Sequence, residues 1–311
     1  MARMTAPISL DALAQSFARA FPDLERIAPL RVLGEGFSST ALETADGVIF
    51  RLARHAQAGA KYAREARILA WVGPFLPVAV PEPRWHAASS ADFPFGVIGY
   101  RKLPGQPLEP DVMDVGALRA AARQIGEIIA ALQRVPNDIL PPPEEPSVHL
   151  SKWRRMRAVS APALKRSLAR EEYQNVQDWW EELLADEHMH RFAPVFAHGD
   201  LWYGNMLAQA GRITGLLDFE EAGLGDPAQD FVPQLYLGER FLEWVLEAFQ
   251  SAGGAVDAMF SHRLRRLWAL REFTGLVHAI EQDPTEFADA IDKLRRGPIL
   301  SPRGLDGWGR L

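Results

Sequence analysis

A predicted hairpin folds the stretch from Phe196 to Phe219 back on itself. Phe196-Ala-His-Gly-Asp-Leu-Trp-Tyr-Gly-Asn-Met-Leu207 is entered from an apolar run, and a second strand, Ile213 to Leu217, ends at Asp218-Phe219-Glu220. Between them Gln209-Ala-Gly-Arg212 reads as a tight turn. A hairpin returns the chain to the end where it began, so this spacing predicts that Asp218 comes back beside Asn205 and Asp200. Two carboxylates and an amide would then meet at one spot.

Phosphoryl transfer needs such a combination. The protein must hold Mg2+ against the phosphates, orient the attacking hydroxyl and offset charge on the transferred group. Magnesium is a hard cation that takes oxygen ligands, with one or two protein groups beside phosphates and water. Asp218 and Asn205 suit that role, and Asp200 is left to orient an acceptor hydroxyl and take its proton. Taken singly, each has an ordinary explanation: Asp and Asn bond their own backbone in loops, and Asp218 also reads as a strand end. The three together, in this order, are harder to explain that way.

The remainder of the chain narrows the alternatives. Its 311 residues suffice for two lobes with separate cores. A net charge of -6 disfavours a dominant nucleic-acid surface. With no cysteine, disulfides, cysteine-ligated zinc, iron–sulfur clusters and thiol catalysis are excluded. The first twenty residues carry Asp11 and Arg19 and lack the basic start and apolar run of a signal peptide. The most apolar stretch, Trp71 to Val80, is broken by Pro74 and Pro77 and is too short to span a bilayer. The expectation is a soluble, cytoplasmic protein without a nucleic-acid or membrane partner.

Along the chain, a strand-rich first third precedes a mostly helical remainder, which predicts an α+β protein in two lobes. Helices are expected over Asp11 to Phe21, Lys61 to Val72, Val115 to Arg134, Lys152 to Leu168 with a break at Pro162, and Glu171 to Asp186. From Pro227 to about Arg296 the pattern is again helical, with a Gly/Pro-rich tail after it. Strands are expected over Arg31 to Leu42, Gly47 to Leu52, Phe95 to Leu103 and within Val195 to Phe219. The hinge is expected near Arg101 to Pro107.

His198-Gly-Asp-Leu-X-X-Gly-Asn205 followed by Leu217-Asp-Phe219 resembles the catalytic and metal-binding motifs of the aminoglycoside phosphotransferase family, small-molecule relatives of protein kinases. Gly225-Asp-Pro-Ala-Gln-Asp230 is similar to the segment that follows the metal-binding aspartate there, and the likeness runs from Gly34 to Asp230. The resemblance implies a bilobal protein-kinase-like fold, with a small β-rich N-lobe over residues 1–103 and a larger, mainly helical C-lobe over 104–311. It implies Asp200 as the base, Asn205 and Asp218 as Mg2+ ligands, and ATP or GTP as co-substrate. It also implies that Asp230 braces the catalytic loop, while Asp226 reads as a helix N-cap with Pro227 at the first position and Gln229 completing a capping box.

The first lobe carries matching features. Gly34-X-Gly36 would let backbone amides approach a phosphate, although Ser39 stands where the kinase pattern has its third glycine. No GKS or GKT phosphate loop is present, which disfavours a P-loop kinase. Val48-Ile-Phe-Arg51 stands where the kinase strand lysine contacts the α- and β-phosphates, and Glu65 resembles its helix partner. The bland alternative for Arg51 and Glu65 is a surface ion pair of little consequence. Arginine for lysine also changes a point charge into a planar fork. Val97-Ile-Gly-Tyr-Arg-Lys-Leu-Pro-Gly105 is similar to the linker that receives the purine, with Tyr100 at the back of the pocket and the Arg101 carbonyl and Leu103 amide on the base edge; a plain linker is the alternative.

For the acceptor, Glu220, Glu221, Glu239, Glu243 and Glu272 would attract a cationic molecule, or simply form solvated faces. Trp202 and Tyr203 suit stacking on a sugar ring or packing in the core, and Trp153, Trp179 and Trp180 read as core. His198 reads as structural, holding its loop through a ring hydrogen bond. The expected function is transfer of the γ-phosphoryl of ATP or GTP to a hydroxyl of an aminoglycoside-like or other cationic or sugar substrate. The alternatives are a kinase of a macrolide or of another metabolite such as homoserine, choline or methylthioribose, and a nucleotide-binding pseudokinase. Ketosamine kinases share the His-Gly-Asp-Leu-Trp run but rank lower, because Phe219-Glu-Glu-Ala-Gly follows here in place of a Pro-Ala run.

Overall fold

The computed structural model describes residues 9–36, 38–137 and 140–301. Phe37, within the expected glycine-rich turn, and the tail beyond residue 301 lie outside the described residues. The chain divides into two compact units, Met1–Val112 with Tyr203–Ala222, and Met113–Trp202 with Gly223–Leu311.

The first unit is built on a five-stranded antiparallel sheet of β1 (Arg31–Glu35), β2 (Ser39–Glu43), β3 (Val48–Ala53), β4 (Trp85–Ala87) and β5 (Val97–Arg101), in the order β1-β2-β3-β5-β4. The single strand expected over Arg31 to Leu42 is therefore two strands and a turn. All six residues of β3 are buried, as befits a central strand covered on both faces. Side chains alternate across a strand. Val48, Phe50 and Leu52 thus join the core formed with α1 (Leu10–Ala20), where the Phe17 and Phe50 rings stack 4.2 Å apart. Ala53 joins Ile98 with Ala58 and Tyr62 of α2 (Ala56–Val72) on the other face, and Arg51 shares its parity. Helix α2 starts a turn earlier than its periodicity suggests, because the His55 ring accepts the Ala58 N–H at 3.2 Å and caps it.

The predicted hairpin is present as β8 (Met206–Gln209) and β9 (Arg212–Leu216), and it pairs with β6 (Gln106–Pro107) in the first unit. Gln209 faces Arg212 across the turn, where Ala210 and Gly211 take φ of 50° and 75°. Two positive φ values give the turn the twist that matches the strands it joins. Ala79 ties into the hairpin as well, donating to the Thr214 carbonyl at 3.0 Å and accepting from the Leu216 amide at 2.9 Å.

Among the described residues the second unit is helical apart from loops and a short ladder of β7 (Val195–Ala197) with β10 (Gly223–Gly225). Its helices are α3 (Val115–Gln133), α4 (Pro146–Ser167), α5 (Arg170–Ala185), α6 (Glu239–Ser251), α7 (Phe260–Glu281) and α8 (Phe287–Arg296). Helix α3 buries Ala121, Ala122, Ile125, Ile128, Ile129 and Leu132, a stripe at helical spacing. Gly126 on that stripe lets α6 approach closely: a Cβ there would stand 2.4 Å from the Val245 carbonyl oxygen. Helix α4 runs through Pro162, so the expected break is absent. Packing supplies the reason: Trp153 and Leu164 are both buried in one core with α5, α7 and α8, and hold the helix on either side of the proline. Trp180 in that core lies 4.5 Å from the Phe273 ring and Trp179 5.4 Å from it, as the core reading of the tryptophans expects. Among the described residues no helix is long and apolar enough to cross a membrane.

Candidate active site

In the first unit, Arg51 and Glu65 form a buried ion pair, Nη1 to Oε1 at 2.6 Å, with the side chains 10% and 2% exposed. The bland alternative of a surface pair is thereby removed. Strand parity turns Arg51 toward α2, and Glu65 lies on the buried face of that helix. The second guanidinium nitrogen stands 3.3 Å from Asp218 Oδ1 and 3.7 Å from Glu220 Oε2. One cation is therefore ringed by three carboxylates. Burial alone would lower the Arg51 pKa, but Glu65 and Asp218 outweigh it and hold the guanidinium firmly charged. Burial raises the Glu65 carboxyl, and Arg51 opposes that rise.

The hairpin brings the two expected metal ligands together at its open end, where the Leu217 amide donates to the Asn205 carbonyl at 2.8 Å. Asp218 follows with φ of 61°, in the left-handed region that few residues other than glycine enter. Its side chain is 45% exposed. A carboxylate and an amide supply hard oxygen donors only. Among the described residues no group of three or more His, Cys, Asp and Glu could hold a metal on its own. That donor set fits Mg2+, which keeps water and substrate phosphates as its other ligands, and does not fit a closed protein cage.

Several expected nucleotide residues have protein partners of their own. The Gly36 amide donates to the Ser39 carbonyl at 2.9 Å, and the Gly36 carbonyl accepts from Arg54 at 3.0 Å. A Cβ at Gly34 would meet nothing within 4 Å, so the protein's own packing does not call for glycine there. Tyr100 is buried, and burial pushes its phenol up to about 12. The Arg101 guanidinium bonds the Asp46 carbonyl at 2.9 Å and lies over the Trp85 ring, while Leu103 packs toward Gly215.

The sequence did not single out Lys61 or Arg64. Lys61 Nζ lies 2.9 Å from Glu220 and 2.6 Å from Glu221, and Arg64 reaches the carbonyls of Glu220 and Ala222 at 3.4 and 2.7 Å. The two glutamates expected to draw a cationic acceptor thus tie α2 to the segment after Asp218. The only signal was their place on a helix beside Glu65, which does not disclose a partner so distant in sequence.

In the second unit, Asp200 lies on a loop after β7. Gly199, at φ of 85°, and His198 both donate their backbone N–H groups to the buried Asp230, at 2.9 and 2.8 Å. The His198 ring in turn accepts the Asp200 amide at 3.3 Å, in keeping with its structural reading. Burial raises the Asp230 carboxyl, and the hydrogen bonds from His198 and Gly199 oppose that rise. Asp226 accepts the Ala228 amide at 2.9 Å but does not complete the expected capping box, since the turn that follows is a 3-10 helix starting at Gln229 with Ala228 ahead of it. Its other oxygen takes Arg263 Nε at 2.8 Å. Arg271 of α7 is a further unforeseen residue: Nη1 stands 2.9 Å from Asp200 Oδ1, and the guanidinium lies 5.6 Å from the centre of the Tyr236 ring. Nothing in the arginine-rich run of α7 marks that one out.

Residues 29–279 match the model of the phosphotransferase enzyme family, APH. The chain belongs to that family. Membership places this phosphotransferase family chain among phosphate-transferring enzymes. It is 25% identical over 203 residues to viomycin phosphotransferase of Streptomyces vinaceus, covering 62% of this chain and 68% of that one. It is 36% identical over 92 residues to uncharacterized protein YcbJ of Bacillus subtilis (strain 168), a match that spans 29% of this chain and only 30% of the relative. The GDP complex of wild-type aminoglycoside 2'-phosphotransferase-IIIa superposes with a TM-score of 0.78 at 20% identity, covering 92% of this chain and 97% of that one, which shows the shared α+β kinase-like fold. Macrolide 2'-phosphotransferase MphH from Brachybacterium faecium gives a TM-score of 0.67 at 26% identity, covering 92% and 97%.

Proposed function

We propose that this phosphotransferase moves the γ-phosphoryl of ATP or GTP to a hydroxyl of a small molecule, with Asp200 as the base. The observation that carries the reading is the buried Arg51–Glu65 pair whose free arm reaches Asp218. A guanidinium held charged and fixed by packing suits the phosphates of a nucleotide. Asn205 and Asp218 would hold Mg2+, which supplies charge neutralisation at the phosphates when bound. The lobe of residues 1–103 would take the nucleotide, with Gly34 and Gly36 beneath the phosphates and Tyr100, Arg101 and Leu103 around the base. The lobe of residues 104–311 would carry the acceptor, whose hydroxyl proton passes to the Asp200 carboxylate as the oxygen attacks. Support for that role comes from the loop itself: Asp230 fixes the two residues before Asp200, so the carboxylate is placed by backbone bonds and not by a floppy tip.

The test is Mg2+-dependent nucleotide consumption with ATP and GTP against aminoglycosides, macrolides, viomycin-type peptides and sugars. Acceptor-dependent turnover should fall on the order of 10²–10⁴-fold in Asp200→Ala, the usual loss with a general base. Nucleotide binding without turnover on any acceptor would instead indicate a pseudokinase, and no nucleotide binding would overturn the reading.

A further inference from the structure

We propose that Arg271 sets the charge preference of the acceptor site at Asp200, favouring an acceptor with a carboxylate near its reacting hydroxyl and disfavouring amino sugars. The inference rests on the reading of Asp200 as base and names the acceptor class for that site.

Three observations support it. The first is the ion pair itself, Arg271 Nη1 to Asp200 Oδ1 at 2.9 Å, with the side chains 30% and 34% exposed. Both groups are open enough to meet a ligand and sheltered enough for charge to count. An acceptor that brings its hydroxyl to Asp200 therefore brings its neighbouring substituents to a guanidinium. The second is the mounting of that cation. Arg271 lies over the Tyr236 ring, and the Tyr236 hydroxyl donates to the buried Glu272 carboxylate at 2.8 Å. A planar fork held this way pairs with a carboxylate through two parallel bonds, whereas an ammonium in the same place meets like charge.

The third concerns the acidic side chains that would otherwise draw a cation. Within the second unit, Glu243 pairs with Arg240 at 2.6 Å and Glu272 accepts from Tyr236. Glu239 turns one carboxylate oxygen into the interior. The groups that act on Arg271 are Asp200, at 2.9 Å, and Tyr236. Burial would lower the Arg271 pKa, but Asp200 and Tyr236 outweigh it, so the group stays a cation.

Glucuronate, glucose and glucosamine form a matched set of probes that differ in charge at one substituent. Acceptor-stimulated nucleotide consumption and calorimetric binding are measured for each on the full chain and on Arg271→Met, Arg271→Lys and Asp200→Asn, with melting curves to confirm folding. The expected order is glucuronate, then glucose, then glucosamine, with about a tenfold or greater gap between the two charged probes, as one charge-assisted contact gives. Arg271→Met should erase the gap through KM and Arg271→Lys should keep part of it. Asp200→Asn should abolish turnover while glucuronate stays the tightest binder. A preference for glucosamine, an unchanged gap in Arg271→Met, or no binding of any probe overturns the inference. Turnover without a charge preference rejects Arg271's role and leaves the phosphotransferase reading standing. Ordered binding with no turnover on any acceptor rejects that reading and leaves Arg271's charge selection.

Discussion

Arg263 of α7 is fully buried and its Nε bonds Asp226 Oδ2 at 2.8 Å, four residues before the Asp230 that holds the Asp200 loop. The same guanidinium clamps Asp257 through Nη1 and Nη2 at 2.9 and 2.6 Å. Arg263→Met should therefore destabilise the protein by about 3–5 kcal/mol, the cost of leaving a buried partner charge uncompensated. Urea unfolding followed by far-UV circular dichroism measures it, and a loss under 1 kcal/mol would show that the pair is dispensable.

Arg51 and Glu65 offer a sharper comparison. Arg51→Met strands the buried Glu65 carboxylate and should also cost about 3–5 kcal/mol, whereas Arg51→Met with Glu65→Leu should recover most of the loss, because Glu220 keeps Lys61 and Asp218 is half exposed to water. Nucleotide affinity separates function from stability: under the proposed reading it falls in both variants, and Arg51→Lys retains part of it. Equal nucleotide affinity in the double variant and the parent would remove Arg51 from the phosphate site.

Two helical glycines should respond in opposite directions. At Gly126 a new Cβ meets the Val245 carbonyl at 2.4 Å and the Ala248 Cβ at 2.7 Å, so Gly126→Ala must push α3 and α6 apart and cost about 1–3 kcal/mol. At Gly275 in α7 a Cβ meets nothing within 4 Å, so Gly275→Ala should gain about 0.5–1 kcal/mol by lowering the chain's unfolded freedom. Thermal melts of both variants decide the matter.

Acid stability carries a sign that Asp257 fixes. Hydrogen bonding to Arg263 holds its carboxyl below the ordinary value of 3.8, so the unfolded chain binds its proton more readily than the folded one. The stability this pair contributes is present above 3.8 and is lost as the pH falls through the depressed folded value. The difference in unfolding free energy between the parent and Asp257→Asn should therefore be level near neutrality and shrink below pH ~4. A difference that grows on acidification would contradict the assignment.

Much of the site was legible in the chain because its signals are local. A turn sequence between two apolar runs is enough to predict the β8–β9 hairpin, and so the meeting of Asn205 with the residue before Asp218. Alternation along β3 turns Arg51 to the face opposite Phe50, and helical spacing places Glu65 on the buried flank of α2. Boundaries were less legible: the His55 cap lengthens α2, and tertiary packing carries α4 through Pro162.

Sequence by itself determined the strand-rich first third before a mostly helical remainder, the hairpin and the family motifs, since turn chemistry and periodicity act between residues a few positions apart. Tertiary structure alone decided that Tyr203–Ala222 joins the first unit, that Lys61 takes Glu220 and Glu221, and that Arg271 meets Asp200 across 71 positions. Such partners depend on how each helix is rotated and set down on its neighbours. That is fixed by the shapes of buried side chains such as Trp180 and Phe273 and by the close approach of α6 to Gly126, and no short run of residues encodes it.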